Sequence, residues 1–131
     1  MIVAGVGFRR GVEAGEIVAL VEQALERAAL APEALDRLAT IEALAALPAF
    51  TQAAERLAVA AIPVEEEALV AAAPAIRTVS ARSLAAHGVG SVAEAAALGG
   101  AGPGACLILE RIASPSATCA LARSSVTETT P

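Results

Sequence analysis

Apolar positions along this chain change their period several times, and each change marks an element. Met1–Val6 is a continuous apolar run bounded by glycine, the pattern of a strand buried on both faces. From Glu13 to Leu30 the period becomes helical. Ile17, Leu20, Val21, Ala24, Leu25 and Ala28 recur at steps of three and four, and Glu16, Glu22, Gln23, Glu26 and Arg27 fall mostly on the other face. Ala31-Pro32-Glu33 breaks that helix, and Pro32 opens a short helical turn through Asp36. Leu38–Ala43 reads as a second strand, with Thr40 and Glu42 near its carboxyl end. Pro48 starts a helix to about Ala58, Leu57–Val64 gives a third strand, and Glu65–Val70 a short helix.

The second half is less regular. Ala71–Gly90 reads as a surface loop with a helical turn inside it. Ser91 and Glu94 have capping-box spacing and open a helix that runs Val92–Leu98 and stops at Gly99-Gly100. After the glycine-rich Ala101–Gly104, Ala105–Arg111 and Ala117–Ala122 form the last two strands, with Ser114-Pro115-Ser116 as a hairpin turn. The order is strand-helix-strand-helix-strand-helix-helix-strand-strand. It predicts an α/β fold, three layers α/β/α, around a mixed, mainly parallel sheet of about five strands. The expected organisation is a single domain over residues 1–123, with a disordered polar tail over 124–131.

Composition narrows the function classes. The 131 residues carry 9 arginines, no lysine, 14 acidic side chains and a net charge of −5. That balance lacks the basic face of a nucleic-acid binder. No window holds the roughly 18 uninterrupted apolar residues of a membrane span, and the start has no secretory leader pattern, so a cytoplasmic protein is expected. With 56% hydrophobic but 2% aromatic residues, the core must be built from Ala, Leu, Val and Ile. Cys106 and Cys119 read as buried, reduced apolar side chains, with a bridge across the hairpin as the alternative. One His and two Cys do not make a metal-ligand set, and no cofactor is expected.

The chemistry concentrates after the first strand. Gly5-Val6-Gly7 lacks the third glycine of a dinucleotide fingerprint, and no Gly-Lys-Ser/Thr makes a P-loop. What remains is Gly7-Phe8-Arg9-Arg10-Gly11, two guanidinium groups in a glycine-bracketed turn before a helix. One reading makes them exposed caps or partners of nearby glutamates. The other makes them a site for a ligand with several carboxylates, because guanidinium holds a carboxylate in a two-point grip. Glu42 is either a surface carboxylate or a group that orients an arginine or acts as a base. His87, beside Gly88, is either a loop histidine or an acid/base group. Ser80 and Ser83 have no His/Asp context for nucleophilic catalysis.

Four blocks in order resemble the CobE/CbiG C-terminal domain family of cobalamin (vitamin B12) biosynthesis proteins. They are Gly5–Gly11, Thr40-Ile41-Glu42, Gly88–Ala96 and Thr118–Arg123, and together they span nearly the whole chain. The likeness is to the stand-alone form, without the N-terminal region that CbiG proteins carry. Phe8 stands where the family often has Cys, Leu44 where a Lys is common, Arg111 near the place of another Lys, and Ala113 replaces a further basic residue. The resemblance implies a three-layer α/β/α fold and a precorrin or corrin ligand bearing acetate and propionate arms. Gly7, Arg9, Arg10, Gly11, Glu42, Ser91 and Arg111 would then line the binding face. The first expectation is a protein that binds or hands on such an intermediate. The alternatives are a hydrolase or isomerase using Glu42 or His87, as in CbiG-like lactone opening, and a structural subunit among other enzymes of the pathway.

Overall fold

A computed structural model describes residues 1–78 and 91–124. Its strands are β1 (Ile2–Phe8), β2 (Leu35–Ile41), β3 (Ala60–Val64), β4 (Cys106–Ala113) and β5 (Ala117–Arg123). They form one sheet in the order β3-β2-β1-β5-β4. β1 pairs with β2, and β2 with β3, in parallel, while β5 runs antiparallel between β1 and β4. The helices are α1 (Ala14–Arg27), the single turn α2 (Glu42–Ala45), α3 (Pro48–Leu57), α4 (Glu66–Ala72) and α5 (Val92–Ala101), with short 3-10 turns at Pro32–Ala34 and Ala73–Ala75. The predicted three-layer α/β/α fold with its mixed five-stranded sheet is therefore the observed one.

Alternation along the strands sorts the core into two apolar layers. Ala4, Val6, Leu38, Cys119 and Leu121 face α1 and α3, where Ile17, Val21, Leu25 and Phe50 meet them. Val3, Ala39, Ile41, Ala120 and Ala122 face α4 and α5. Both edges resist further pairing. β3 is short and carries Pro63, and β4 shifts register twice against β5.

The glycines expected to bend the backbone or stop a helix do something else. β1 continues through Gly5 and Gly7 to Phe8, and neither glycine has positive φ. A Cβ on Gly5 would lie 2.1 Å from the Ala93 carbonyl oxygen and 2.2 Å from the Ala97 nitrogen. The expected stop at Gly99-Gly100 is corrected too: α5 runs through both to Ala101. A Cβ on Gly99 would meet Val64 Cγ1 at 2.6 Å, and one on Gly100 would meet Ala39 Cβ at 2.9 Å. Gly5 marks where α5 lies almost in backbone contact with the sheet, and Gly99 and Gly100 mark where the helix backbone packs on sheet side chains. Positive φ is found instead at Gly102 and Gly104, in the loop leading to β4.

Other boundaries move for local reasons. α1 ends at Arg27 rather than Leu30, and α3 at Leu57, because Ala29 and Ala58 adopt left-handed φ of 60° and 59°. Each closes its helix with paired bonds: Leu30 N–H to Leu25 C=O with Ala29 N–H to Glu26 C=O, and Val59 N–H to Ala54 C=O with Ala58 N–H to Glu55 C=O. Glycine is the usual residue at such a stop, so alanine hid both ends. β2 starts three residues before the expected Leu38, since the turn opened by Pro32 closes at Ala34. Both cysteines are free. Cys119 is buried as expected, but Cys106 is exposed, and they pair across the hairpin with Ile112 and Arg123 respectively. The bridge alternative is thereby corrected: each sulfur sits opposite another residue.

Two substitutions test this account by urea unfolding. Gly5→Ala should cost about 3 kcal/mol or abolish folding, because neither backbone it would strike can yield alone. Ala58→Gly should stabilise the protein by about 1 kcal/mol, by relieving the left-handed alanine.

Candidate functional site

The carboxyl ends of β1, β2 and β3 share one edge of the sheet, and α1, α3 and α5 begin there. Connections leave that edge toward both faces: β1 leads to α1 on one side, while α5 crosses on the other. In open α/β sheets this reversal leaves a crevice outside the strand ends, where ligands bind.

The loop after β1 stands at the crevice. Phe8 stacks on Phe50 of α3, ring centroids 6.3 Å apart and planes at 15°. Arg9, Arg10 and Gly11, beyond it, are all exposed. The loop backbone is held from the hairpin: Arg9 N–H donates to Ser116 C=O at 3.0 Å, and Val12 N–H to Arg9 C=O at 3.0 Å. The hairpin is held in turn by α1. Glu16 Oε2 accepts from the Ser114 hydroxyl and, at 2.7 Å, from Ser116 N–H. These bonds, first that of Ser114 and then that of Ser116, hold the Glu16 carboxyl below its ordinary pKa.

The guanidinium groups of Arg9 and Arg10 have no carboxylate partner among the described residues. Among the described residues the one ion pair is Arg77 with Glu110, at 3.6 Å. A Cβ on Gly11 would meet nothing within 4 Å among the described residues. A groove of about 530 Å³ opens from Arg10 along the first turns of α1 and α3 and ends at Arg56. That volume falls in the range of small-molecule sites.

The other expected site residues are placed as follows. Gly7 lies beneath the loop, buried, where a Cβ would come 2.9 Å from Thr118 Oγ1 and 3.1 Å from Val92 Cβ. Glu42 is exposed at the end of β2, as the first residue of α2 rather than part of the strand. It therefore shares the edge with the arginine loop. Ser91 is buried at the start of α5, and its hydroxyl accepts from Glu94 N–H at 3.2 Å. Arg111 is half-buried on β4, two strands away from β1. His87, Ser80 and Ser83 lie outside the described residues.

Glu94 is the residue whose importance the capping-box spacing understated. Its side chain is fully buried and accepts four hydrogen bonds. Oε1 takes Arg77 N–H at 2.7 Å and Thr78 N–H at 2.9 Å, and Oε2 takes the Thr78 hydroxyl at 2.6 Å and Arg111 N–H at 3.0 Å. Arg111 N–H is available because β4 shifts register between Leu109 and Ile112. Burial alone would raise the Glu94 pKa. The four donors outweigh it and hold the carboxyl below its ordinary value. Thr40 closes the crevice floor: its buried hydroxyl donates to Val6 C=O at 2.7 Å, just past the last paired residues of β1 and β2.

These features define a doubly wound α/β domain with an arginine loop at the carboxyl edge of its sheet, and comparison with known proteins gives the particular family. Residues 2–122 match the family model described as Cobalamin synthesis G C-terminus, and the chain belongs to that family of cobalamin biosynthesis proteins. It is 41% identical to protein CobE of a Sinorhizobium species over 121 residues, covering 92% of this chain and 79% of that protein. The crystal structure of CobE, from the cobalamin (vitamin B12) biosynthetic pathway, superposes with a TM-score of 0.87 at 35% identity, over 94% of this chain and 89% of that one. Cobalamin biosynthesis protein chiG from Agrobacterium tumefaciens gives 0.75 at 33% identity, over 96% and 100%. Among the described residues no helix is long and apolar enough to cross a membrane.

The Glu94 arrangement predicts a pH dependence with a definite sign. A carboxyl whose pKa is lower folded than unfolded stabilises the fold above the unfolded value of about 4.3, and that contribution is lost as pH falls below it. Glu94→Gln should cost about 3 kcal/mol at pH 7, since an amide turns an N–H toward backbone donors. In urea titrations from pH 7 to pH 3, the variant should also lose stability less steeply than the parent.

Proposed function

We propose that this protein binds a polycarboxylated precorrin or corrin intermediate at the carboxyl edge of its sheet and holds it or hands it on. The observation that carries the reading is the pair Arg9 and Arg10, exposed and, among the described residues, without carboxylate partners, on a loop anchored from both β1 and the hairpin. In a chain of net charge −5, unpaired cations at a strand-end crevice favour an anionic ligand over a neutral one. A macrocycle rimmed with acetate and propionate arms supplies several carboxylates, each able to take a two-point grip from an arginine. The relatives' place in cobalamin biosynthesis supports that class of ligand.

In this reading Arg9 and Arg10 grip peripheral carboxylates, and Gly7 and Gly11 bracket the loop so that the ring can approach. Glu42 lies on the same edge. Ser91 acts through α5, by fixing the helix that flanks the crevice. Arg111 contributes charge from β4.

Titration with hydrogenobyrinic acid, followed by its visible absorbance, tests the reading. The parent should bind saturably, and Arg9→Ala/Arg10→Ala should bind at least about a hundredfold more weakly, in keeping with two lost charge-assisted contacts. No binding by the parent, or undiminished binding by the double variant, would refute it. Glu42→Gln in the same assay separates holding from turnover: a holding protein leaves the spectrum of the released ligand unchanged in both forms.

A further inference from the structure

Arg56 lies in the last turn of α3, and the proposed grip by Arg9 and Arg10 does not use it. Pro48, Gln52 and Arg56 are spaced four residues apart, so they form one ridge along α3, and this ridge is one wall of the groove that begins at Arg10. Helical side chains lean toward their own N-terminus. Arg56 accordingly reaches back from the last turn of α3 to the first turn of α1, where its Nη1 lies 3.6 Å from the position a Cβ on Gly15 would occupy. A guanidinium is thus held against the positive end of a 14-residue helix.

Of the carboxylates at that end of α1, Glu16 is already taken up by Ser114 and Ser116. Glu13 lines the groove, yet forms no ion pair with Arg10 or Arg56. It gives α1 no side-chain cap either, and α3 likewise begins without one. Two guanidinium groups and two uncapped helix starts therefore surround a concavity of about 530 Å³.

We infer that the groove between the first turns of α1 and α3 is a carboxylate subsite, in which Arg10 and Arg56 together grip one flexible carboxylate arm of the ligand. The inference rests on the polycarboxylate reading above and extends it to a second place of attachment. Arg9 and Arg10, being adjacent, then divide the work. Arg9 serves the crevice, and Arg10 stands where crevice and groove meet. Gln52, between Pro48 and Arg56, offers an amide to the same arm.

Two measurements test the subsite separately from the whole ligand. The first is a titration of the parent with glutarate, a plain dicarboxylate, followed by amide and arginine side-chain NMR shifts. Saturable shifts at Gly15 and at the Arg56 Nε–H, lost in Arg56→Gln but kept in Arg9→Ala, are expected. Shifts that do not saturate, or that survive Arg56→Gln, overturn the inference whether or not a corrinoid binds. The second is the hydrogenobyrinic acid titration with Arg56→Gln, expected to bind about tenfold more weakly, as for one lost charge-assisted contact. Undiminished corrinoid binding by Arg56→Gln, with binding still lost in Arg9→Ala/Arg10→Ala, rejects the subsite and leaves the edge site standing. Because Arg56 is exposed, its replacement should leave the urea unfolding midpoint in place, which separates lost binding from lost folding.

Discussion

The structure depends on the near-contact between α5 and β1. Gly5 brings the backbone of the central strand against Ala93 and Ala97, and Gly99 and Gly100 do the same from the helix side against Val64, Ala39 and Val3. Without bulky side chains between them, helix and sheet meet through backbone and methyl groups. Dispersion is then gathered from many short contacts rather than from a few large side chains. This explains how a chain with two phenylalanines and no tryptophan or tyrosine fills two apolar layers. It also sets the height of α5 above the sheet, and so the position of its first turn beside Gly7 and Thr118 at the strand ends.

Polar bonding is concentrated where the packing cannot specify geometry. Glu94, on the buried helix, ties residues 77 and 78 to the irregular edge strand β4. Glu16, on α1, ties the hairpin turn that carries the Arg9 backbone. In both cases a carboxylate collects donors that a regular ladder or helix would leave unmatched, and a charged acceptor makes such bonds stronger than a neutral one. The arginine loop is therefore anchored at its root by Phe8 on Phe50 and at its backbone by a relay from α1 through the hairpin, while its guanidinium groups stay exposed. A rigid root with exposed charged ends suits the polycarboxylate site proposed above.

Legibility in the sequence varied with the range of the forces involved. The arginine loop and the strand before it were plain, because an apolar run followed by glycine and charge is a local pattern. The serine at the start of α5 was plain for the same reason. Glu94 was legible only as a local cap, since its real donors come from residues 16 and 17 positions away. Arg56 gave no sign beyond its spacing from Gln52 and Pro48. Its neighbour at the start of α1, Gly15, is distant in sequence and adjacent in space.

By itself, the order of apolar periods determined the α/β class, the mixed sheet with its closing hairpin, and the location of the basic loop, because burial follows period and turns follow local chemistry. The tertiary structure alone decided what the glycines are for. A glycine in sequence permits a turn, a helix stop or a close approach. Only the packing partner, tens of residues away, selects among them. It decided in the same way that β4 breaks register to feed Glu94 and that Arg56 faces the start of α1. Each of these is a contact between segments whose spacing along the chain carries no record of their separation in space.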